Sequence, residues 1–272
     1  MGDVRVRKLE SPADFERIIA IQKAVWKHRT IDLTSAHQLD ISVKTGAILL
    51  GAWIGRRLVG FVYSFPAVYG KKHIQHSRQL AILPEFRGLS IGKRLKWAQR
   101  REALRRGYDL ITWTADPLLA RNANLNFHSL GALSRVYRRN HYTTNSSLAL
   151  APGVPTDRLI VEWAIGGERV EKRRRGAARR IDPAALTKIL ERQPRTGSPG
   201  PGKSAAFLGR PAVLIEIPAD VGRLRKDIEA LLIWQGALRR MMERSFASGY
   251  AVIDFIFGDR CYYVLERNTG GG

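Results

Sequence analysis

Apolar and polar side chains alternate with a period of two over Val4-Arg5-Val6-Arg7-Lys8-Leu9, the pattern of a strand with one covered face. Ser11-Pro12 then offers an N-cap and a proline at the first helical position. Phe15, Ile18, Ile19, Val25 and Trp26 fall on one side of a helix that runs to about Lys27. A short second helix is predicted over 35–44. Two apolar strands, 46–54 and 58–65, flank Gly55-Arg56-Arg57 as a hairpin, and Gly70-Lys71-Lys72 turns the chain into a further strand over 73–83.

From Leu80 to Lys93 the pattern changes character. Leu80-Ala81-Ile82-Leu83 is an apolar run stopped by Pro84; Arg87-Gly88-Leu89-Ser90 turns; and a helix follows over about 91–106. In that helix Ile91, Leu95, Ala98 and Ala103 are expected toward a core, with Lys93, Lys96, Arg100 and Arg101 facing elsewhere. A strand that ends in a glycine-containing turn and starts a helix leaves the first helical N–H groups converging where the dipole favours negative charge. The corner is therefore either a phosphate cradle or an ordinary β–turn–helix connection.

After Gly107 the order continues as a strand over 109–114, a helix over 119–130 closed by Gly131, and strands over 132–138 and 158–165. Beyond Gly166-Gly167 a basic run, 169–180, and a stretch crowded with Pro, Gly and Ser, 193–203, predict a linker over 166–206 with one short helix at about 183–192. Order resumes with a strand over 213–217, a long helix capped by Asp220 and running to about Ser248, and a hairpin of 251–257 with 261–266. The expected organisation is a first domain over 1–165, the linker, and a C-terminal β-α-β-β segment over 207–272 docked on the first sheet. The element order predicts mixed layers on a mostly antiparallel sheet.

At 272 residues with 44% hydrophobic content the chain is long enough for one large or two small cores. No stretch approaches the roughly 20 apolar residues of a membrane span, and the amino terminus lacks a signal peptide's apolar block, which places the protein in the cytoplasm. Cys261 is the sole cysteine, so neither an intramolecular disulfide nor a cysteine zinc cluster can form, and Asn145-Ser146-Ser147 is an idle glycosylation match. The net charge of +22 favours anionic ligands without naming one. Gly197-Ser198-Pro199-Gly200-Pro201-Gly202-Lys203-Ser204 spells a P-loop, but Pro199 and Pro201 lack the N–H donors that a P-loop uses, and no buried strand precedes it.

Arg87-Gly88-Leu89-Ser90-Ile91-Gly92 resembles the acyl-CoA diphosphate loop of the GNAT acyltransferases, [Arg/Gln]-x-x-Gly-x-[Gly/Ala], with Ser90 in place of the first glycine. Leu95-Lys96-Trp97-Ala98-Gln99-Arg100, Trp113-Thr114-Ala115-Asp116-Pro117-Leu118, Arg121-Asn122-Ala123 with Asn126, Leu130-Gly131-Ala132, Asp157-Arg158 with Glu162-Trp163, and segments at 216–220 and 249–266 are similar to a bacterial group of predicted GNAT acetyltransferases. The resemblance implies an α+β fold: three α/β/α layers on a mostly antiparallel mixed sheet, followed by the C-terminal β-α-β-β extension. It also implies transfer of an acetyl or other short acyl group, such as succinyl, from acyl-CoA to a primary amine of a small molecule, an amino acid among the candidates.

On that resemblance, Arg87, Gly88, Leu89, Ser90, Ile91, Gly92 and Lys93 bind the diphosphate. The backbone around Leu80, Ala81 and Ile82 steadies the thioester carbonyl, and Asn122 and Asn126 reach the pantetheine amides or satisfy local backbone. The usual acid of the family, a Tyr four residues before the Gly at 131, is here Phe127. Tyr142 is the substitute, chosen over His128 and Tyr137, and Ser90 is expected to cap its helix. His76, whose imidazole titrates near neutral pH, is the candidate base. Asp116 either binds the amine or caps the following helix. Lys93, Lys96 and Arg100 share a helical side within reach of an adenosine phosphate. No metal is implied. Two other functions fit: a non-catalytic acyl-CoA sensor, suggested by Phe127, and a nucleic-acid- or ribosome-associated protein tethered by 169–180.

Overall fold

Phe61 and Tyr63 alternate along their strand with Val62 and Ser64, and the two faces so defined receive different helices. In a computed structural model that describes residues 3–26, 33–142, 149–177, 181–202 and 209–267, the chain divides into two compact units, Met1–Trp113 with Ala164–Gly167 and Thr114–Trp163 with Glu168–Gly272. Lys27, the Asn145-Ser146-Ser147 match, residues 178–180 of the basic run and Lys203-Ser204 lie outside the described residues.

The first unit is a sheet in the order β1 (Val4–Lys8), β2 (Ile48–Ile54), β3 (Arg57–Tyr69), β4 (Lys72–Ile82) and β5 (Leu110–Ala115). Its pairs are antiparallel except β4 with β5, which run parallel through Gln75↔Ile111 and His76↔Thr112. α1 (Pro12–Trp26) and α2 (Ala36–Lys44) close one face, where Phe15, Ile18 and Leu39 join Leu49, Phe61, Tyr63 and Ala81 in one apolar cluster. Both helices start where the side chains direct: Asp14 N–H donates to Ser11 Oγ at 3.2 Å and Gln38 N–H to Ser35 Oγ at 3.2 Å. α3 (Ile91–Arg105) packs on β2, β3 and β4, its Gln99 reaching Ser77 of β4. The β3–β4 ladder shifts register between Tyr63 and Ser64. Ser64 faces Ser77 and Tyr63 faces Gln79, so Arg78 is an extra residue and β4 bulges there.

In the second unit, β6 (Leu133–Arg138) pairs antiparallel with β7 (Arg158–Ala164). The C-terminal piece is a β-α-β-β unit: β10 (Ala212–Ile217), α6 (Val221–Leu224) and α7 (Ile228–Ala247), then the hairpin β11 (Tyr250–Ile256) and β12 (Cys261–Arg267). It packs on β6, pairing Val252 with Ser134. The single long helix expected after Asp220 is two: Asp220 caps α6, and Asp227 restarts the chain as α7 by accepting from Ala230 N–H at 2.9 Å.

Two expectations fail in instructive ways. The stretch 166–206, read as a linker, carries α5 (Glu168–Arg174), β8 (Thr187–Arg192) and β9 (Pro199–Pro201), and β8 lies parallel to β10. Where a helix was expected over 183–192, only Pro183–Ala185 turns helically; Ile189 and Leu190 are buried in the strand because a distant partner, β10, is there to pair with them. The helix expected over 119–130 is one α turn, α4 (Ala120–Ala123), continued by a π-helical segment, Asn124–Ser129. The compact units part within β5 rather than at residue 165. Among the described residues, no helix is long and apolar enough to cross a membrane.

Candidate active site

The turn between β4 and α3 is built from its local chemistry. Pro84–Phe86 makes one tight helical turn, Arg87 N–H returns to Pro84 O at 3.2 Å, and Arg87 Nε donates to Ile82 O at 3.3 Å. Gly88 adopts φ +85° and Ser90 φ +57°, both left-handed. Only glycine takes that conformation without cost, and Ser90 stands where the loop pattern that the turn resembles has one. α3 begins at Ile91, and Arg94 N–H to Ser90 O, 3.0 Å, is its first bond. The N–H groups of Ile91, Gly92 and Lys93 thus precede the helical ladder of a 15-residue helix. Ser90 does not cap it through its side chain, contrary to expectation, because the left-handed backbone replaces the extended N-cap geometry. A Cβ at Gly88 would meet nothing within 4 Å, so its backbone can be approached closely. Leu80, Ala81 and Ile82 pair with Val62, Phe61 and Gly60 of β3.

His76 stands on β4 before the bulge, half-buried. Its Nδ1 lies 3.2 Å from Thr112 Oγ1 of β5, and its ring packs on Phe65 with centroids 5.5 Å apart. His76↔Thr112 is also a register pair of the two strands. Close by in sequence, Lys96 corrects an expectation. It does not face solvent: it is 3% exposed, with Nζ donating to Gln99 Oε1 at 2.7 Å and Ser77 Oγ at 3.1 Å and lying 3.8 Å from the Trp113 ring centroid. Burial pushes its pKa well below the ordinary lysine range. Arg100 donates to Ile165 O at 2.6 Å, so of the supposed phosphate-facing trio only Lys93 is exposed. The spacing Lys96, Gln99, Ala103 (i, i+3, i+7) was the signal that Lys96 belongs to the covered face.

In the second unit, Asp116 and Tyr142 meet one arginine. Asp116 Oδ1 accepts from Leu118 N–H at 2.9 Å and Oδ2 from Arg158 Nη1 at 3.1 Å, while the Arg158 guanidinium carbon sits 5.3 Å from the Tyr142 ring centroid. Burial raises the Asp116 pKa against the opposing Arg158 charge. Both Asp116 oxygens are engaged and the residue is 8% exposed; the N-cap of α4 is Leu119 rather than Asp116. Tyr142 is half-buried with its hydroxyl 2.7 Å from Thr114 Oγ1. Thr112, Thr114 and Arg158 carried no sequence signal for these contacts, which exist only through the fold.

Phe127 is fully buried, edge-on to Tyr263 at 5.8 Å. His128 Nδ1 is 3.0 Å from Asp254 Oδ1, and Tyr137 donates to Asp157 Oδ2 at 2.8 Å, burial driving that phenol's pKa upward with Asp157 adding to the rise. Both are committed to structural pairs. Asn122 is exposed, whereas Asn126 is buried and its backbone carbonyl accepts from Ala132 N–H at 3.0 Å. The basic run is also largely spoken for: Arg169 donates to Gly131 O and Ile253 O, Arg173 pairs with Asp254 inside the unit, and Lys172, Arg174 and Arg175 pair with Glu168 or Glu171.

Residues 12–132 match the model of the acetyltransferase (GNAT) family. Among solved structures, the chain is similar to the ribosomal-protein-S18-alanine N-acetyltransferase of Escherichia coli, at 17% identity over 61% of this chain and 97% of that one, with a TM-score of 0.48. It is similar also to the PaiA N-acetyltransferase of Thermoplasma acidophilum in complex with coenzyme A, at 16% identity over 60% and 99%, TM-score 0.43. A third is YncA of Salmonella typhimurium with acetyl-CoA, at 17% over 60% and 94%, TM-score 0.49. No curated protein matches the sequence.

Proposed function

Since residues 12–132 match the model of the acetyltransferase (GNAT) family and the chain has an α+β fold, we propose that it transfers a short acyl group from acyl-CoA directly to a primary amine. The observation that carries this reading is the turn at Arg87–Lys93. Its left-handed Gly88 and Ser90, the open space over Gly88 and the unladdered N–H groups of Ile91, Gly92 and Lys93 fit a diphosphate. The cosubstrate supplies an activated thioester carbonyl. In the first unit, backbone at Leu80–Ile82 steadies the carbonyl oxygen and His76 takes the amine proton; in the second, Tyr142 is the candidate acid for the departing thiolate. Thr112 holds the His76 ring and Thr114 holds the Tyr142 hydroxyl. Cys261 is buried in β12 with its thiol pKa pushed up by burial, which favours direct transfer over a covalent thioester on the enzyme.

The acceptor class is a small-molecule amine. Phe127, buried against Tyr263, favours one second reading, a non-catalytic acyl-CoA sensor. Nucleic-acid tethering by 169–180 would have to do without Arg169 and Arg173, which are turned into the fold. The test is a thermal shift with acetyl-, succinyl- and longer acyl-CoAs, coupled to mass-spectrometric detection of acylated amines. Saturation at 100-fold over Kd adds about 2.7 kcal/mol, a clear rise in Tm. No shift with any acyl-CoA defeats both readings, and a shift without acylation of any amine in the pool selects the sensor.

A further inference from the structure

Burying a lysine is expensive, and its cost points to a task. Lys96 reaches from α3 to the two residues that directly follow the His76↔Thr112 pair, Ser77 on β4 and Trp113 on β5. Gln99 completes the grip, accepting from Lys96 Nζ and donating through Nε2 to Ser77 Oγ at 3.2 Å. Ser77 is also the last paired residue before the Arg78 bulge, where β4 is least constrained by β3. The pair that Lys96 braces is the one across which Thr112 Oγ1 meets His76 Nδ1.

We propose that Lys96 is a positioning residue: by clamping Ser77 and Trp113 from the α3 face, it fixes the spacing of β4 and β5 at the His76–Thr112 pair and so the orientation and tautomer of the His76 ring. For catalysis the assignment rests on the acyl-transfer reading, with His76 as the base; the geometry of the clamp does not. The strong downward displacement of the Lys96 pKa is consistent with an amine held by hydroxyl, amide and ring rather than by solvent. Methionine approximates the length of lysine without its donors, so Lys96→Met removes the clamp while keeping most of the volume.

The decisive measurement is the ¹⁵N spectrum of His76 in the acyl-CoA-free protein, its resonances identified by their loss in His76→Gln. In the wild type the two ring nitrogens report one dominant tautomer; in Lys96→Met they move toward the averaged values of a free imidazole. In turnover, kcat falls about tenfold with KM for acyl-CoA within twofold, because the diphosphate turn is left intact. Should Lys96→Met not fold, Ser77→Ala removes the β4 half of the clamp alone and shifts the same resonances in the same direction. Unchanged His76 resonances in a folded variant overturn the proposal. Absence of acyl transfer by the wild type defeats the acyltransferase reading instead, and the spectrum still decides the clamp.

Discussion

In the first unit the buried polar side chains, among the described residues, are the amides and hydroxyls of Gln22, Thr34, Ser42, Ser64, Gln75, Ser77, Gln99 and Thr112, with Lys96 as a single cation. Gln22 ties the segment before α2 to β4 entirely through neutral bonds, to Thr34 N–H and O at 2.9 and 3.0 Å and from Gln79 Nε2 at 3.1 Å. In the second unit the buried polar groups include four carboxylates, each held by an arginine: Asp116 by Arg158, Asp157 by Arg239, Asp254 by Arg173 and Glu216 by Arg260. A neutral network tolerates the loss of one member at the cost of a hydrogen bond. A buried ion pair that loses a partner leaves an uncompensated charge. The unit bearing the candidate base and the proposed diphosphate turn thus rests mainly on neutral hydrogen bonds, whereas the other depends on its buried ion pairs staying whole.

The two interiors differ most at Asp157. This fully buried carboxylate accepts from Tyr137 Oη, from Asn140 N–H at 2.9 Å, and from Arg239 Nε and Nη2 at 2.8 and 3.1 Å. Asp157→Ala strands all four donors, and a loss of about 3–5 kcal/mol is expected. Hydrogen exchange resolved by peptide measures it: protection falls in β6, β7 and α7, and much less in β3 and β4. Equal loss in both units would show that the contrast between their interiors has no energetic meaning.

A smaller effect sharpens the contrast from the other side. The acid-linked stability expected in the first unit is peripheral, at Glu102 on α3, which is hydrogen-bonded to Arg105 and Arg106 and lies 3.6 Å from Lys8. Partial desolvation would raise its pKa, but the arginines and Lys8 outweigh that and bring it from 4.5 to about 2. A folded pKa below the unfolded one means stability fully present above about 4.5 and lost as pH falls through about 2. After solvent screening the contribution is on the order of 1 kcal/mol. Glu102→Gln should therefore cost about that much in urea denaturation at pH 7, the gap to wild type narrowing steadily below pH 4.5.

Legibility in the sequence followed the range of the interactions. The strands of the first unit, its three helices and the C-terminal hairpin were readable because alternation, caps and turn glycines act within a few residues, as Ser11, Ser35 and Gly55 do. β8 was missed because its partner β10 lies more than twenty residues on, and parallel pairing leaves no local turn signal. The turn at Arg87–Lys93 was legible as a motif. The buried contacts of other candidate residues were not: Lys96 read as solvent-facing because charge was weighed above its spacing to Gln99, and Arg158 met Asp116 and Tyr142 only through the fold.

The least of the expected effects bears on the turn itself. Ser90 occupies the left-handed region at φ +57°, ψ 15°, a conformation that costs a residue with a Cβ about 1–2 kcal/mol, and its side chain makes no capping bond in return. Ser90→Gly relieves that strain but gives back part of the gain in unfolded-chain entropy, so a net stabilisation of about 0.5 kcal/mol is expected. Ser90→Ala keeps the strain and should be neutral within that margin. If the turn binds through backbone N–H groups, neither change moves KM for acyl-CoA more than about twofold, since both preserve the donors. A large rise in KM for Ser90→Ala alone would mean that the hydroxyl contacts the cosubstrate, making serine at this position a ligand in its own right rather than a tolerated substitute for glycine.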